Sequence, residues 1–250
     1  MRTFLILFRK ELRSYLYNPF GWVIIAAVAL ANGVGISTSM KGFIDTPSQY
    51  SLVFATFHAP VFWFWFLFIF PLITMRSFAE EERSGTLETL LTAPVGTGHV
   101  VLSKYFAAFV FYILIWIPTL LQFHIFGWIT DMPEGWTPGD IIGTYTILLL
   151  MGAAFTAVGC LASALTSSQI IAGLLALCLL MLLFFFGYIP VIWGGSFRGV
   201  GIFRYISCQD HLAFFAKGFL DSRPFVYYGS LAATLLVLTY HVVDYRRWKR

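Results

Sequence analysis

Charge is scarce in this chain. Lys and Arg number 16 and Asp and Glu 12 among 250 residues, 11% in all, where an ordinary soluble domain carries about 25%. The hydrophobic fraction is 59% and the mean hydropathy +0.80. So few charges cannot cover a water-facing surface, which excludes an ordinary soluble enzyme or binding module and points to a polytopic membrane protein. Cysteine is nearly absent. Of the three, Cys160 and Cys178 fall inside apolar runs, where a thiol behaves as a small apolar group, and Cys208 falls in a predicted external loop. The odd count argues against a disulfide framework, and no spacing suggests zinc. Also missing are a G-x-x-x-x-G-K-[ST] phosphate loop, an H-E-x-x-H metal motif and anything like a nucleophile elbow. The chain is expected to hold no catalytic residue, metal or cofactor of its own.

What is abundant is apolar length. At roughly 20 residues per crossing, the runs divide into about six spans: 20–40, 51–75, 105–128, 141–164, 170–193 and 225–243. No formally charged residue occurs from Ile141 to Phe197, and the polar turn from Leu165 to Gln169 splits that stretch in two. Ala29-Leu30-Ala31 resembles a signal-peptidase site. The long stretch before the apolar core, and the lack of a soluble domain after it, favour a retained span. Asn32 in span one is read as helix-packing glue. The aromatic centre of span two, Phe62 to Phe70, is read as lipid and interhelical packing, with Pro60 and Pro71 bending the helix. Near the outer end of span three, His124 is either a functional ionisable group or a hydrated interfacial one. Gly152, Thr156, Gly159 and Ser163 place small residues three and four apart on span four, a close-packing face.

Orientation follows from the cations. With six spans both termini share a side, and putting them in the cytoplasm gives 11 Lys and Arg inside against 5 outside (Lys41, Arg198, Arg204, Lys217 and Arg223), as the positive-inside rule requires. The net charge of +4 then needs no nucleic acid to explain it. Residues 3–18 read as an amphipathic helix on the cytoplasmic leaflet. Phe4, Phe8, Leu12 and Leu16 share one face, and Arg9, Lys10 and Arg13 lie off it, near anionic lipid. Residues 194–223 are too polar to span and too apolar for a plain loop, which suits a re-entrant or interfacial helical segment.

The densest polar island lies between spans two and three, within 76–104. Glu80, Glu81 and Glu82 are adjacent, so on a helix they point apart and form no metal site. They read as a solvated helical extension of span two, with Arg76 and Glu80 a weak i,i+4 pair. Gly85 breaks that helix. With Gly85 as N-cap and Glu88 at N3, a short helix from Thr86 to Thr92 follows, with Leu87, Leu90 and Leu91 on one stripe and Pro94 as its stop. A stripe without a core needs a partner, either a groove on a soluble protein or the membrane surface.

The run Ile73-Thr-Met-Arg-Ser-Phe-Ala-Glu-Glu-Glu-Arg-Ser-Gly-Thr-Leu-Glu-Thr-Leu-Leu-Thr-Ala-Pro-Val95 resembles the loop after span two of ABC-2 type transporter permeases, most of all the subgroup typified by the gliding-motility-associated permease. Phe8 to Pro19, Val101 to Tyr105 and His211 to Ser230 are similar to that family's N-terminal helix, span-three entry and external segment. Pro224 stands where the family has an acid. The resemblance implies an all-α membrane domain over 1–250 with six transmembrane helices, an N-terminal interfacial helix, a cytoplasmic coupling helix and an external re-entrant segment. It implies a permease subunit, without ATPase motifs, of an exporter in the bacterial inner membrane. Its ATP and Mg would sit on a separate ATPase subunit whose groove takes Glu82, Gly85, Thr86, Leu87, Glu88, Leu90 and Leu91, with Phe8, Arg9, Lys10, Leu12 and Arg13 alongside. A second permease copy or related chain would face it, accessory envelope proteins are possible partners, and the external gate would include His211, Phe214, Phe215, Gly218 and Asp221. The alternative is a non-transporting scaffold of an envelope or motility machine.

Overall fold

The computed structural model describes residues 2–45, 51–86, 95–130, 137–192 and 200–248. All regular structure among them is helical: α1 (Arg2–Tyr17), α2 (Pro19–Asp45), α3 (Leu52–His58), α4 (Pro60–Thr74), α5 (Ala79–Arg83), α6 (Thr97–Thr130), α7 (Pro138–Ala164), α8 (Gln169–Ile192), α9 (Val200–Ile206), α10 (Cys208–Phe215) and α11 (Arg223–Trp248). Six stretches are long and apolar enough to cross a membrane: α2, α4 continued to Arg83, α6, α7, α8 and α11. The chain is a multi-pass membrane protein.

The helices begin and end where local chemistry dictates. Span two does not run unbroken from Ser51 to Met75. It breaks at Ala59, whose ψ of 139° is extended, because a residue before proline is pushed out of the helical region. Pro60 then opens α4 at the first position, where its missing N–H is no loss, so Pro60 separates two helices rather than bending one. Pro71 lies inside α4. Span four starts three residues before Ile141 for a similar reason. The Thr137 hydroxyl accepts from the Asp140 N–H, and the Asp140 carboxylate accepts from the Thr137 N–H, a reciprocal capping box.

Span three also starts early. The apolar run suggests Tyr105, but α6 begins at Thr97 and has 34 residues, about 51 Å at 1.5 Å per residue. That exceeds the roughly 30 Å of a hydrocarbon core, so the helix projects beyond the apolar layer and carries Lys104 within its own length.

Span four is the hub. Of its most apolar stretch 78% is buried, against 22% for α8 and 22% for α11, and it packs against α4, α6, α8, α10 and α11. Its small residues set these approaches. A Cβ on Gly152 would overlap the Tyr112 ring, one on Gly159 the Thr74 side chain, and one on Gly143 the Phe215 carbonyl. The aromatic run of α4 faces both ways. Phe62, Trp63, Phe66 and Phe70 are buried while Phe64 is exposed, and Phe70 meets Phe155 of α7 edge-on at 5.2 Å.

Asn32 holds span one to span three. Its Nδ2 donates to Gln122 Oε1 at 2.9 Å, and Gln122 Nε2 donates to the Ala29 carbonyl at 2.8 Å. One amide–amide bond and one amide–carbonyl bond thus join α2 to α6 away from bulk water, while Asn32 Oδ1 is buried without a hydrogen-bond partner.

A charged clasp as candidate functional site

The N-terminal helix, the segment after α4, the start of α6 and the end of α11 meet at one end of the bundle, and polar side chains do the joining. Lys104 is only 2% exposed. Its Nζ lies 3.1 Å from Glu11 Oε1 and 2.9 Å from Glu81 Oε1, with the Phe78 ring 5.5 Å away. One buried ammonium therefore ties α1, α5 and α6 together. Arg246 Nη1 reaches Glu82 Oε2 at 3.0 Å, and the Thr97 hydroxyl donates to Asp244 Oδ1 at 2.9 Å, which brings in α11. Lys10 approaches Glu81 at only 3.9 Å and is 64% exposed. A contact of that kind contributes little.

Neutral groups complete the clasp. The Tyr15 hydroxyl donates to the Ile73 carbonyl at 3.0 Å and lies 3.3 Å from Ser77 Oγ. Burial raises its phenol above the usual range, against the opposing pull of Ser77, so it stays a neutral donor. Ser163, at the end of α7, accepts from the Phe78 and Ala79 N–H groups at 3.0 and 3.1 Å. These are early donors of α5, which have no partner within their own helix.

Glu81 and Glu82 are therefore not solvated, as an extension of span two would leave them. They are half-buried and ion-paired, whereas Glu80 is exposed. The three carboxylates do point apart. The i,i+4 pair of Arg76 and Glu80 does not form among the described residues. The Arg76 guanidinium instead lies 4.7 Å from the centre of the Phe20 ring, and its Nε is buried without a hydrogen-bond partner. Beside it is a cavity of about 270 Å³ lined by Lys10, Glu11, Tyr15, Arg76, Glu80 and Lys104, among others.

Gly85 has φ +71°, the left-handed conformation glycine supplies after a helix C-terminus. It closes α5, and Thr86, directly after it, is helical again. Thr86 Oγ1 lies 2.8 Å from Ser84 Oγ. Leu87, Glu88, Leu90 and Leu91 lie outside the described residues. In α1, Phe8 stacks on Phe4 at 6.1 Å, Leu12 packs against the core, and Arg9 and Arg13 are exposed. In α7, Gly152 and Gly159 face Tyr112 and Thr74, and Thr156 is buried with its hydroxyl unpaired.

The segment before α11 lies at the opposite end. His211 is buried, with Nδ1 3.1 Å from the Tyr228 hydroxyl. Phe215 is buried and Phe214 is 60% exposed. Gly218, at φ +76°, lies beside Gly139, and Asp221 is exposed and accepts from the Arg223 N–H at 3.0 Å. Cys208 is buried, and desolvation raises its thiol to about 11, so it is inert. Burial lowers the pKa of His211 and of His58, while Asp210 pulls each the other way. The folded state thus prefers neutral imidazoles and the unfolded chain binds protons first as pH falls. Stability is full above about pH 6.5 and declines below it. Thermal unfolding of the wild type and of His211→Gln between pH 8 and 5 checks this, and the variant is expected to show the shallower decline.

Sequence reasoning missed Glu11, Lys104 and Arg246 as partners. Lys104 carried a signal: it is the sole Lys or Arg between Arg83 and Arg198, set among apolar neighbours. A cation so placed needs a carboxylate if its helix starts early.

The sequence profile described as ABC-2 family transporter protein matches residues 15–207, more than half of the chain. It includes the segment from Tyr15 through Lys104 and both halves of the small-residue face. Comparison with curated proteins gave no match.

Proposed function

We propose, from the premise that this chain belongs to the ABC-2 transporter family and so is a membrane permease subunit of an ABC transporter, that it couples a separate ATPase subunit to export. The observation that carries the reading is the clasp. Glu81 and Glu82, on the last turn before the 87–94 segment, are held to α1, α6 and α11 through Lys104 and Arg246. A push delivered at Leu87, Leu90 and Leu91 would reach α1 and the two spans α6 and α11 through short charged contacts rather than dissipate in a loose loop.

In this reading ATP and Mg reside on the ATPase, and Arg9, Lys10 and Arg13, on the same end as the clasp, lie beside it. The clasp end faces the cytoplasm of a bacterial cell, as the 11 to 5 cation imbalance favours. A second permease copy or related chain faces this one, and the external gate is the segment holding His211 and Phe215. The pattern of the island resembles that of the gliding-motility-associated permeases.

Leu90→Glu in the co-expressed complex tests the coupling. The variant is expected to accumulate in the membrane at the wild-type level, to lose the co-purifying ATPase, and to lose substrate-stimulated ATP turnover at least ten-fold. Retention of the ATPase at wild-type yield would overturn the proposal. ATP turnover indifferent to every candidate substrate would favour a scaffold instead.

A further inference from the structure

The cavity beside Arg76 is electrically mixed. Six charged side chains line it, three cations (Lys10, Arg76, Lys104) and three carboxylates (Glu11, Glu80, Glu81). Lys104 is consumed by Glu11 and Glu81. Three charges remain: Lys10, 64% exposed and 3.9 Å from Glu81; Arg76, whose buried Nε has no partner; and Glu80, which forms no ion pair among the described residues and stands exposed. A desolvated guanidinium N–H left unpaired is costly, and a phosphate oxygen matches its geometry and charge. The zero formal sum of the lining disfavours a ligand that brings net charge and suits one that carries both signs.

The cavity also has a tail. Phe20, Ile24 and Leu72 line it and line a second cavity of about 210 Å³ along the seam of α2 and α4, walled by aliphatic and aromatic side chains such as Val23, Ala27 and Ile69. Val23 and Leu72 are 61% and 38% exposed, so this groove opens sideways, away from the bundle core. A charged compartment continuous with a lateral apolar groove, on a membrane protein, has the layout of an amphiphile site with its head toward one leaflet surface.

We propose that the α1–α2–α4 corner binds one glycerophospholipid with a zwitterionic phosphoethanolamine head. Its phosphate lies on Arg76, its ammonium is directed to Glu80, and one acyl chain lies in the α2–α4 groove. The site uses no residue of the segment proposed to meet the ATPase and needs no direction of transport. It binds lipid whether or not the coupling reading stands.

Native mass spectrometry of the full chain, released from detergent and titrated in parallel with phosphatidylethanolamine and phosphatidylglycerol of matched acyl chains, tests it. The wild type is expected to retain one phosphatidylethanolamine about ten-fold more tightly than phosphatidylglycerol. Arg76→Gln, losing a charge-assisted contact, is expected to weaken it about ten-fold. Ala27→Trp, which fills the groove from its exposed wall and leaves Arg76 in place, is expected to weaken it similarly and tests the site even where Arg76→Gln yields no folded protein. Glu80→Gln, on the rim, should bring the two lipids to within about two-fold of each other. Undiminished phosphatidylethanolamine binding in Ala27→Trp, equal affinity of the wild type for both lipids, or displacement of the lipid by millimolar inorganic phosphate would each overturn the proposal.

Discussion

Lys104→Met is expected to destabilise the chain by about 3–5 kcal/mol, the range for removing one partner from a buried ion pair. Two carboxylates within 3.1 Å of the same Nζ would be left facing a methyl group, each short of solvent at 15% and 17% exposure. An exposed pair is worth at most about 1 kcal/mol, so the burial of Lys104 decides the magnitude. Lys10→Met supplies the contrast on the same Glu81: at 3.9 Å and 64% exposure its loss should stay below about 1 kcal/mol. Adding Glu11→Gln and Glu81→Gln to Lys104→Met should recover most of the stability, because the penalty comes from stranded charge and not from lost volume. Thermal unfolding of the four proteins in one detergent is the measurement. A Lys104→Met effect no larger than that of Lys10→Met would mean that the clasp is ornamental.

Gly152→Leu is expected to cost about 3 kcal/mol or more through overpacking. The ring of Tyr112 occupies the space a first side-chain carbon would need. That ring has no room to withdraw. Its hydroxyl donates to the Leu148 carbonyl at 2.8 Å, its faces and edges meet Phe70 at 5.2 Å and Trp116 at 5.9 Å, and none of it is exposed. Helix propensity works the other way, by up to about 1 kcal/mol for replacing a mid-helix glycine, and is too small to win. Gly229→Ala isolates that smaller effect: nothing lies within 4 Å of its Cβ position, so the variant should be neutral or slightly more stable. Combining Gly152→Leu with Tyr112→Ala should be less damaging than the sum of the two, since the second change opens the volume the first one fills, and the shortfall from additivity measures the contact.

The sequence revealed the helical class, the number of crossings and the small-residue face of span four, because each is written in hydropathy or in spacing along one helix. It was less explicit wherever a long-range partner decides the outcome. Glu81 looked solvated because its neighbours are charged. Its burial depends on Lys104, which in turn depends on α6 starting at Thr97, eight residues before the apolar run suggested. The break at Ala59 was legible in principle, since a pre-proline residue resists the helical region, yet membrane helices tolerate proline often enough that a bend was the simpler reading. Ser163 was read by its size alone. That its hydroxyl also serves the donors of α5, more than 80 positions away in sequence, is a tertiary fact with no local signature.

The amide pair of Asn32 and Gln122 has a consequence for how the protein is made. The two residues are 90 positions apart, and at roughly 5–20 residues per second of synthesis the first emerges about 5–20 s before the second. Through that interval span one carries an amide into lipid without its eventual mate, while span two is threaded past it. Biogenesis therefore imposes an order on this contact: the first crossing carries its amide unpaired until the third arrives, even though span two can already pack against it.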